Sequence, residues 1–483
     1  MEPIGTITMY YPFLEEEVVD ALDAIMCEAQ DYHDFVSLLS QKVCTEEVPD
    51  TLPYLAAVHA GNLGSPKIKE HLMHKHGHSV IVKAWVTDDI TERTRAIERA
   101  LSGDLAGWIA IELHYLNTLS PDYVDHLSSL PRIDEAKELL EIDAKLRCFE
   151  PRVLTMQGTL SRIEGNIPEA TLHFKDGLKI ATEFDDRVHA TDLLYRIGNL
   201  KKDINPKESW DFFDKAHKLA KSIGYTYGVG RALLEMGKAS YIRGEYDLAI
   251  SCLLKSDDLF SSALSRSEPS VSVQLTRVYC ALGDGKEALT WVNTTIDRTK
   301  AGVYWNYFQK AQSLVLLGET KEALTQLELG ENAAFKEGRE WDLAKYYYVN
   351  GLYEIAVGNS LNGIMSLEQS MEIIDRMNIG VIKGPCLIAL ARAEMNVQSI
   401  GGDVDTSGPW MSRLEDYARE KELPGILMEH ALLKAEFQLG QNRIEAARKT
   451  LVDALGIHDS PSVASLRDRI QMRIDDLDSA AQQ

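Results

Sequence analysis

The spacing of turn glycines is the feature that most constrains what this 483-residue chain can fold into. One motif, G-x-Y-x-x-A, is clearest at Gly244, Tyr246 and Ala249, and weaker copies recur about every 40 residues. Steps of 39, 35 and 40 residues separate Gly244, Gly283, Gly318 and Gly358, and Gly440 follows after 82 more, close to two periods. A fixed period of this size predicts a solenoid with a binding surface rather than a catalytic cavity. The glycines of the set are Gly165, Gly244, Gly283, Gly318 and Gly358.

Each period has the pattern of a helix–turn–helix pair. Around residues 243–246, apolar residues recur at helical spacing on both sides of the turn. Small residues stand where the two helices would cross, at Gly237 in the first and Ala249 in the second. Because small side chains let helix axes approach closely, these positions predict tightly crossed pairs.

The pattern resembles the tetratricopeptide repeat, with a small residue at the eighth place, an aromatic at the eleventh, Gly at the fifteenth and Ala at the twentieth. The resemblance implies an all-α fold, a right-handed superhelical solenoid preceded by a helical N-terminal region. The period exceeds the family's usual value of about 34 residues, and is similar to the long repeats of maltose-regulator sensor domains and spindle-orientation adaptors. Besides the turn glycines, the matching residues are Gly158, Gly237 and Gly351 (eighth), Tyr279 (eleventh), and Ala170, Ala249, Ala288 and Ala323 (twentieth).

The chain departs from the family pattern at two places. Gly363 replaces the usual Ala in the sixth repeat, and Asn205 and Pro206 stand where the second repeat would carry its turn glycine.

Composition and spacing predict four segments. Residues 1–103 form an acidic helical N-terminal region, 105–148 a degenerate first repeat, 149–458 the repeats, and 459–483 a capping helix. Residues 399–409, rich in Gly, Asp and Ser, are predicted to be a loop inside the seventh repeat.

Three local patterns refine these segments. An apolar helix face is predicted near the start of the chain. The second helix of the degenerate repeat is predicted to open at Ile133, and the final helix to cover residues 462–478. The residues of the apolar face are Leu14, Val18, Leu22, Ile25 and Met26.

Composition argues against several classes of protein. Acidic residues outnumber basic ones 74 to 51, so the net charge of −23 repels phosphate backbones and disfavours nucleic acid as a partner. Six scattered cysteines indicate neither a disulfide framework nor a zinc cluster, and suit a reducing compartment. No signal sequence and no membrane-spanning run is recognisable, so we expect a cytoplasmic protein that does not bind membranes.

Four histidines within eight residues, His71, His74, His76 and His78, are weak candidates for a metal site. An exposed helix C-terminus, where the helix dipole favours histidine, accounts equally for this cluster. No acidic or cysteine ligand stands at a fitting spacing, so the sequence predicts no metal.

A second weak pattern imitates a calcium-binding loop at Asp403 and Asp405. The twelfth position, which should carry a glutamate, is Leu414, and Glu415 comes one residue late, so a solvated loop is the ordinary interpretation. Nucleotide-binding and nucleophile motifs are absent from the sequence, and we expect a protein that is not an enzyme and needs no cofactor.

The concave face supplies the most specific prediction. In tetratricopeptide arrays, five places of each first helix line this face, which gives 30 positions over six repeats here. Seven are basic and only Asp192 and Asp203 are acidic, whereas composition predicts about three and about five. The predicted binding residues are the basic Arg152, Arg162, Lys202, Arg231, Lys238, Arg277 and Lys345, with Tyr195, Asn199, Tyr241, Trp305, Phe308, Gln312 and Tyr348.

This surplus predicts a basic and aromatic trough that binds an acidic, extended or helical peptide. Two alternatives stay open at the level of sequence. The surplus of basic residues could be a chance result of the small number of positions, combined with an error of one or two residues in the assumed register of the repeats. A shift of one place would also turn the aromatic residues into the core.

The first 50 residues carry 12 acidic residues and one basic residue, Lys42. One hypothesis is autoinhibition, in which this acidic segment docks weakly onto the basic trough and competes with the partner. The alternative is a solvated outer face on a capping helix.

Taken together, the sequence predicts a non-catalytic scaffold or adaptor whose partner is another protein or a peptide, and the charge of the trough predicts that this partner is acidic. The alternative is a sensor module that closes around a small ligand or a signalling peptide. The partner, the pathway and the oligomeric state are not encoded in any motif that we recognise.

Overall fold

The computed structural model of the chain describes residues 14–103, 105–118, 126–263, 268–299, 304–401 and 408–481. Every regular element in these ranges is a helix, and no strand occurs in them, so the predicted all-α fold is confirmed. The chain divides into two compact units. Unit 1 comprises Met1–Leu200, Asp211–Leu233 and Asp258–Arg266, and unit 2 comprises Lys201–Trp210, Leu234–Asp257 and Ser267–Gln483.

In the described ranges, eight α-helices precede the regular pairs. They are α1 (Glu16–Glu28), α2 (Tyr32–Thr45), α3 (Thr51–Leu63), α4 (Pro66–His76), α5 (Val80–Val86), α6 (Ile90–Leu101), α7 (Gly107–Thr118) and α8 (His126–Ile142).

Helix–turn–helix pairs follow, as the glycine period predicts. The paired helices are α9 (Glu150–Ile163) with α10 (Ile167–Glu183), α11 (Arg187–Lys201) with α12 (Pro206–Ser222), α13 (Thr226–Ile242) with α14 (Tyr246–Asp258), α15 (Pro269–Leu282) with α16 (Gly285–Thr299), α17 (Tyr304–Leu316) with α18 (Thr320–Glu337), α19 (Glu340–Ala356) with α20 (Ser360–Met377), α21 (Gly380–Gly401) with α22 (Pro409–Glu420), and α23 (Pro424–Gly440) with α24 (Ile444–Leu455). A last helix, α25 (Ala464–Ala481), ends the described chain.

The turn glycines adopt the backbone conformation that favours glycine. The φ angle is 81° at Gly165, 74° at Gly244 and 91° at Gly358, in the left-handed region where a side chain is strained. Gly440 does not belong to this set, because it ends α23 and the left-handed residue of that turn is Asn442, with φ 60°. The glycine period therefore locates this turn to within two residues.

Small residues bring the helices of a pair together, as predicted. A Cβ atom on Gly158 would lie 2.5 Å from the Phe174 ring, and one on Gly237 would lie 2.7 Å from Leu253. In the sixth repeat, Gly363 stands in place of Ala because a Cβ there would lie 2.6 Å from Ile355 and 2.9 Å from the carbonyl of Gly351. The departure from the family pattern thus permits a still closer crossing.

In unit 1, the N-terminal helices pack against the repeats through buried aromatic residues. The Tyr32 ring, fully buried, meets the Tyr225 ring edge-on with centroids 5.6 Å apart. The Tyr32 amide donates a hydrogen bond of 2.9 Å to the carbonyl of Ile223. Of the predicted apolar face of α1, Val18, Leu22 and Ile25 are buried.

Several boundaries differ from those expected. α8 begins at His126, so the prediction that the helix opens at Ile133 was wrong by seven residues. The last helix starts and ends slightly later than residues 462–478. α21 extends to Gly401, so residues 399–401 are helical and not loop, whereas 402–407 lie outside the described residues. The compact units are not divided at the predicted segment ends, and those segments stay predictions about the sequence repeat.

In unit 2, the turn between α13 and α14 contacts residues far along the chain. The Gly425 amide donates to the carbonyl of Arg243 at 3.0 Å, and the backbone of Gly244 lies so close to Gly425 that neither position has room for a Cβ. The Ser465 amide donates to Asp247 at 3.0 Å. This part of unit 2 is therefore held by residues about 180 to 220 positions later as well as by its sequence neighbours.

Within the described ranges, none of the helices is both long enough and apolar enough to cross a bilayer.

Candidate functional site

In unit 2, the first helices of successive pairs line one cavity of about 280 Å³. α13, α15, α17 and α19 contribute most of its surface, and Ile382 of α21 completes it. Seven of the residues predicted from the sequence line this cavity: Lys238, Tyr241, Arg277, Phe308, Gln312, Lys345 and Tyr348. Sequence analysis missed further lining residues, among them Gln274, Gln309, Trp341 and Val349.

Aromatic side chains form much of the cavity surface. Tyr241, Phe308 and Tyr348 are almost fully buried, so they belong both to the core and to the wall of the cavity. The Gln312 side chain donates a hydrogen bond of 3.4 Å to the Tyr348 hydroxyl. The sequence left open whether these aromatic residues belong to the core or to an exposed trough. In the structure, these three residues belong to the core and also line the cavity.

Arg277 brings a positive charge into this apolar surrounding. Its guanidinium donates to the neutral side-chain oxygen of Gln274 at 2.9 Å, and no carboxylate of the described residues lies within ion-pair distance. Burial lowers the pKa of Arg277, which indicates that the charged form is poorly solvated.

A second cation, Lys345, lines the same cavity. Its ammonium lies 4.7 Å from the centre of the Trp341 ring and 4.0 Å from a carboxylate oxygen of Asp342. Burial, with the positive charge of Arg277, lowers the pKa of Lys345 to about 7. The cavity therefore holds two crowded cations and would be stabilised by an anionic group.

One polar atom of the cavity has no hydrogen-bond partner. The Gln309 side chain donates from Nε2 to the carbonyl of Val273 at 2.9 Å, but its buried Oε1 accepts no hydrogen bond in the structure. A ligand that offers an N–H or O–H group would satisfy this acceptor.

Other predicted basic residues already have acidic partners. Glu235, which is almost fully buried, lies between Lys202, at 3.2 Å, and Lys238. Although burial opposes ionisation, the two lysines lower the pKa of Glu235 to about 2. The positive charges of Lys202 and Lys238 are therefore compensated by Glu235, and their role in binding a peptide stays a prediction.

Arg152, in unit 1, is also a structural residue. It is buried and pairs with Glu112, at 3.1 Å, and with Asp186. Because the guanidinium lies between two carboxylates, Arg152 does not present a charge to an extended peptide, which corrects its assignment to the trough.

The remaining predicted residues lie in several environments. In unit 1, Arg231 stacks on Tyr195 with its guanidinium carbon 3.9 Å from the ring centre, and it pairs with Asp192 at 3.2 Å. Arg162 is exposed, and Asn199 is half-buried. The side chain of Trp305 lies outside the described residues.

The acidic partners were missed for a physical reason. Glu235 stands three residues before Lys238 on the same helix, so the helical spacing could have revealed this pair. Glu112 and Asp186 belong to other elements than Arg152, 40 and 34 residues away, and no local pattern links them.

The histidine cluster does not assemble a metal site. His76 uses its Nε2 for a hydrogen bond of 2.7 Å with the carbonyl of Val43, and His71, His74 and His78 are exposed. No three histidine, cysteine or acidic side chains of the described ranges are grouped so as to hold an ion.

The calcium-like loop, residues 403–408, falls mainly outside the described residues. Glu415, which follows it, pairs with Arg419 at 2.7 Å and with His430 at 3.7 Å.

Three solved structures are similar to the chain. The Rap conjugation gene regulator of the plasmid pLS20, in complex with the Phr* peptide, is 17% identical over 75% of this chain and 96% of its own, with a TM-score of 0.45. NprR in complex with its cognate peptide NprX is 16% identical over 69% of this chain and 94% of its own, with a TM-score of 0.45. A tetratricopeptide repeat protein from Parabacteroides merdae ATCC 43184 is 15% identical over 56% of this chain and 99% of its own, with a TM-score of 0.37.

No protein-family model matches the chain, and no curated protein matches it. At such low identities and TM-scores, function has to be argued from the side chains of this chain.

Proposed function

We propose that the chain is a non-catalytic binding protein that takes an acidic side chain of a partner protein or peptide into the cavity of unit 2. The observation that carries this proposal is Arg277, a half-buried guanidinium whose hydrogen-bond partner is the neutral amide of Gln274. A carboxylate that enters the cavity would supply the missing counter-charge and form charge-assisted hydrogen bonds with the guanidinium.

The surroundings of Arg277 strengthen this interaction. The cavity is lined by the aromatic rings of Phe308, Trp341 and Tyr348, and an apolar lining of this kind strengthens electrostatic interactions relative to bulk water. Aromatic surface also contributes binding energy of its own when it is covered by an apolar group. The preferred partner therefore carries an aspartate or glutamate beside an apolar residue.

A peptide selection tests the proposal. A library of random peptides displayed on phage is selected on the intact protein, and the enriched peptides are synthesised with a fluorescent label. Their affinities are then measured by fluorescence anisotropy for the wild type, for Arg277→Gln and for Arg473→Gln. Arg473 is an exposed residue of α25, so the last variant loses the same charge away from the cavity.

We expect enriched peptides to share an acidic residue next to an apolar one. Arg277→Gln should weaken their binding at least about tenfold, since the loss of a charged partner in a desolvated site costs roughly 2 kcal/mol or more. Arg473→Gln should bind like the wild type. Peptides without acidic residues, or equal affinities for all three proteins, would refute the proposal.

A sensor is the second candidate, and the size of the cavity favours it. A volume of about 280 Å³ accommodates one or two side chains rather than a long peptide segment. A sensor would change its shape when the cavity is filled, which small-angle scattering with and without the selected peptide would reveal. A scaffold would give the same scattering profile in both states.

The autoinhibition hypothesis stays a prediction beside this proposal. It requires that a chain lacking the acidic N-terminal residues bind the selected peptides more tightly than the full chain, and that high salt remove the difference.

A further inference from the structure

Unit 1 contains a cavity of its own, of about 440 Å³. Helices α3 to α6 of the N-terminal region supply one part of its lining, and α7, α9, α11 and α13 supply the other. Most of the exposed surface of this cavity is polar, in contrast to the aromatic cavity of unit 2. None of the functions proposed above uses it.

Asp192 is shared by two arginines at this cavity. Its carboxylate accepts hydrogen bonds from Arg196 at 2.6 Å, from Arg231 at 3.2 Å and from the Tyr115 hydroxyl at 3.2 Å. All four of these residues line the cavity. Since one carboxylate neutralises one of two guanidinium groups, one positive charge is left over at this point.

Arg93, on α6, brings a further guanidinium to the lining. Its Nε and Nη2 donate to the carbonyl of Thr87 at 3.2 and 2.8 Å, and no carboxylate of the described residues lies within ion-pair distance of it. The nearby Asp88 pairs with Lys69 at 2.9 Å. Burial lowers the pKa of Arg93, as expected for a guanidinium that is partly removed from water.

The charges around the cavity add up to a positive site. Five cationic side chains face four carboxylates, which leaves a charge of +1 in a chain whose total is −23. His189, which also lines the cavity, is neutral near pH 7, because burial lowers its pKa to about 4. The cations are Lys69, Arg93, Arg152, Arg196 and Arg231, and the carboxylates are Asp88, Glu112, Asp186 and Asp192.

The donors also exceed the acceptors. A guanidinium carries five N–H groups in a planar fork, and the contacts of Arg93, Arg196 and Arg231 occupy only part of them. Arg231 is held in place by the Tyr195 ring, 3.9 Å away, so that its fork is oriented before a ligand arrives. Such forks match the oxygens of a carboxylate or a phosphate.

Planar aromatic rings also line the cavity. Tyr225 and Tyr227 line it with ring centres 6.3 Å apart, and Trp85 lines it as well. The Tyr225 hydroxyl donates to the carbonyl of Asn62 at 3.0 Å, which fixes this ring against α3. A ligand with an aromatic or other planar body would find contact area beside the guanidinium groups.

We propose that the cavity of unit 1 is a second binding site, which takes a small organic anion composed of a planar body and one carboxylate or phosphate group. The anionic group is bound by Arg93 and Arg231, and the planar body contacts the tyrosines. The chain then has two sites of different chemistry, a polar one for a small anion and an aromatic one for a side chain of a partner.

Saturation-transfer NMR with small probes tests this site, because it detects weak ligands. The probes are phenyl phosphate, benzoate and the neutral benzyl alcohol, with inorganic phosphate as competitor. They are applied to the intact wild-type chain, to the single variant Arg93→Gln, to Arg93→Gln with Arg231→Gln, to Arg99→Gln, and to Arg277→Gln in the cavity of unit 2. Arg99 lies on the same helix as Arg93 but is exposed, so it is a matched control.

We expect saturation of phenyl phosphate, of benzoate or of both by the wild type and by Arg99→Gln, and none of benzyl alcohol. Saturation should weaken in Arg93→Gln and vanish in the double variant. Inorganic phosphate should displace phenyl phosphate. Saturation of only one anionic probe would identify the natural ligand as a phosphate ester or as a carboxylate.

Four results would overturn the proposal. The first two are equal saturation in the double variant and in Arg99→Gln, and equal saturation of benzyl alcohol and the anions. The third is a signal that Arg277→Gln removes but the double variant retains, and the fourth is the absence of any saturation by the wild type. Unchanged melting temperatures show that the variants are folded, which we expect because neither substitution leaves Asp192 without an arginine.

Discussion

Arg277 and Lys345 line the same cavity, where burial first and the Arg277 guanidinium second lower the pKa of the Lys345 ammonium to about 7. Two cations that are crowded in an apolar site destabilise the protein when the site is empty. The same arrangement makes the site receptive to an anion, because a carboxylate relieves the repulsion between the two cations. This relationship leads to predictions about stability as well as binding.

Arg277→Gln should stabilise the protein while it weakens the binding of the selected peptides. The substitution removes a half-buried charge that has no carboxylate partner among the described residues, and it introduces an amide that can hydrogen-bond. We expect the free energy of unfolding in urea to rise by about 1 kcal/mol, whereas the exposed control Arg473→Gln should change it by less than about 0.5 kcal/mol. A clear loss of stability would show that Arg277 is a structural residue.

Binding of the selected acidic peptides should take up protons through Lys345. The free protein has a Lys345 pKa of about 7, and a bound carboxylate raises it, so affinity should fall as the pH rises from about 7 to about 9. Calorimetry in two buffers of different ionisation enthalpy measures the uptake. Asp342 and Arg339 are the other charged groups near this ammonium.

The control for this experiment is Lys345→Arg, which stays charged across the range and should bind without proton uptake. The stability of the empty protein depends on pH in the opposite direction to the affinity. An unfolded lysine keeps its proton up to about pH 10, so the empty protein should become more stable as the pH rises from about 7 towards 10. Identical profiles for the wild type and Lys345→Arg would contradict the assignment.

Glu235→Gln should be strongly destabilising, because it leaves Lys202 and Lys238 together at a buried site without their carboxylate. Breaking a buried pair costs about 3–5 kcal/mol, which urea unfolding would measure at pH 7. The pKa of Glu235 is lowered to about 2, so its contribution is present above about pH 4.5 and is lost as the pH falls towards 2. Adding Lys238→Met to Glu235→Gln should restore part of the loss. If both variants are equally unstable, the pair is not coupled.

Two turn glycines should differ in their tolerance of alanine. Gly165 and Gly244 share a left-handed backbone, but a Cβ on Gly165 meets nothing within 4 Å, whereas one on Gly244 would lie 2.7 Å from the backbone of Gly425. Gly165→Ala should therefore cost only the strain of the conformation, about 1–2 kcal/mol. Gly244→Ala should cost clearly more in the same thermal or urea unfolding experiment. Equal costs would show that the backbone contact adjusts freely.

The sequence predicted the local geometry well and the charge environment poorly. Helix pairs, left-handed glycines and the close crossing at Gly237 depend on residues within one period, where spacing reports on structure directly. Seven predicted residues line one cavity for the same reason, although their role in binding stays a prediction.

Two features that the sequence did not reveal depend on contacts between distant parts of the chain. Arg152 looks like a surface cation until Glu112 and Asp186 are brought against it. The cavity of unit 1 combines four N-terminal helices with later ones, and no periodic pattern links the two sets. In the turn after α23, the left-handed residue is Asn442 and not Gly440, because asparagine can also adopt this backbone conformation.

The hydrogen bond from Gly425 to Arg243 has a consequence for biosynthesis. A linear repeat protein can fold pair by pair as it leaves the ribosome, because each pair needs only the one before it. Here the turn at Gly244 can make its contact with Gly425 only after about 180 more residues have been synthesised. The hydrogen bond between Ser465 and Asp247 forms later still, because Ser465 lies further along the chain. The middle of the chain must therefore persist in an incompletely packed state during translation, with its folding finished only by the arrival of the C-terminal helices.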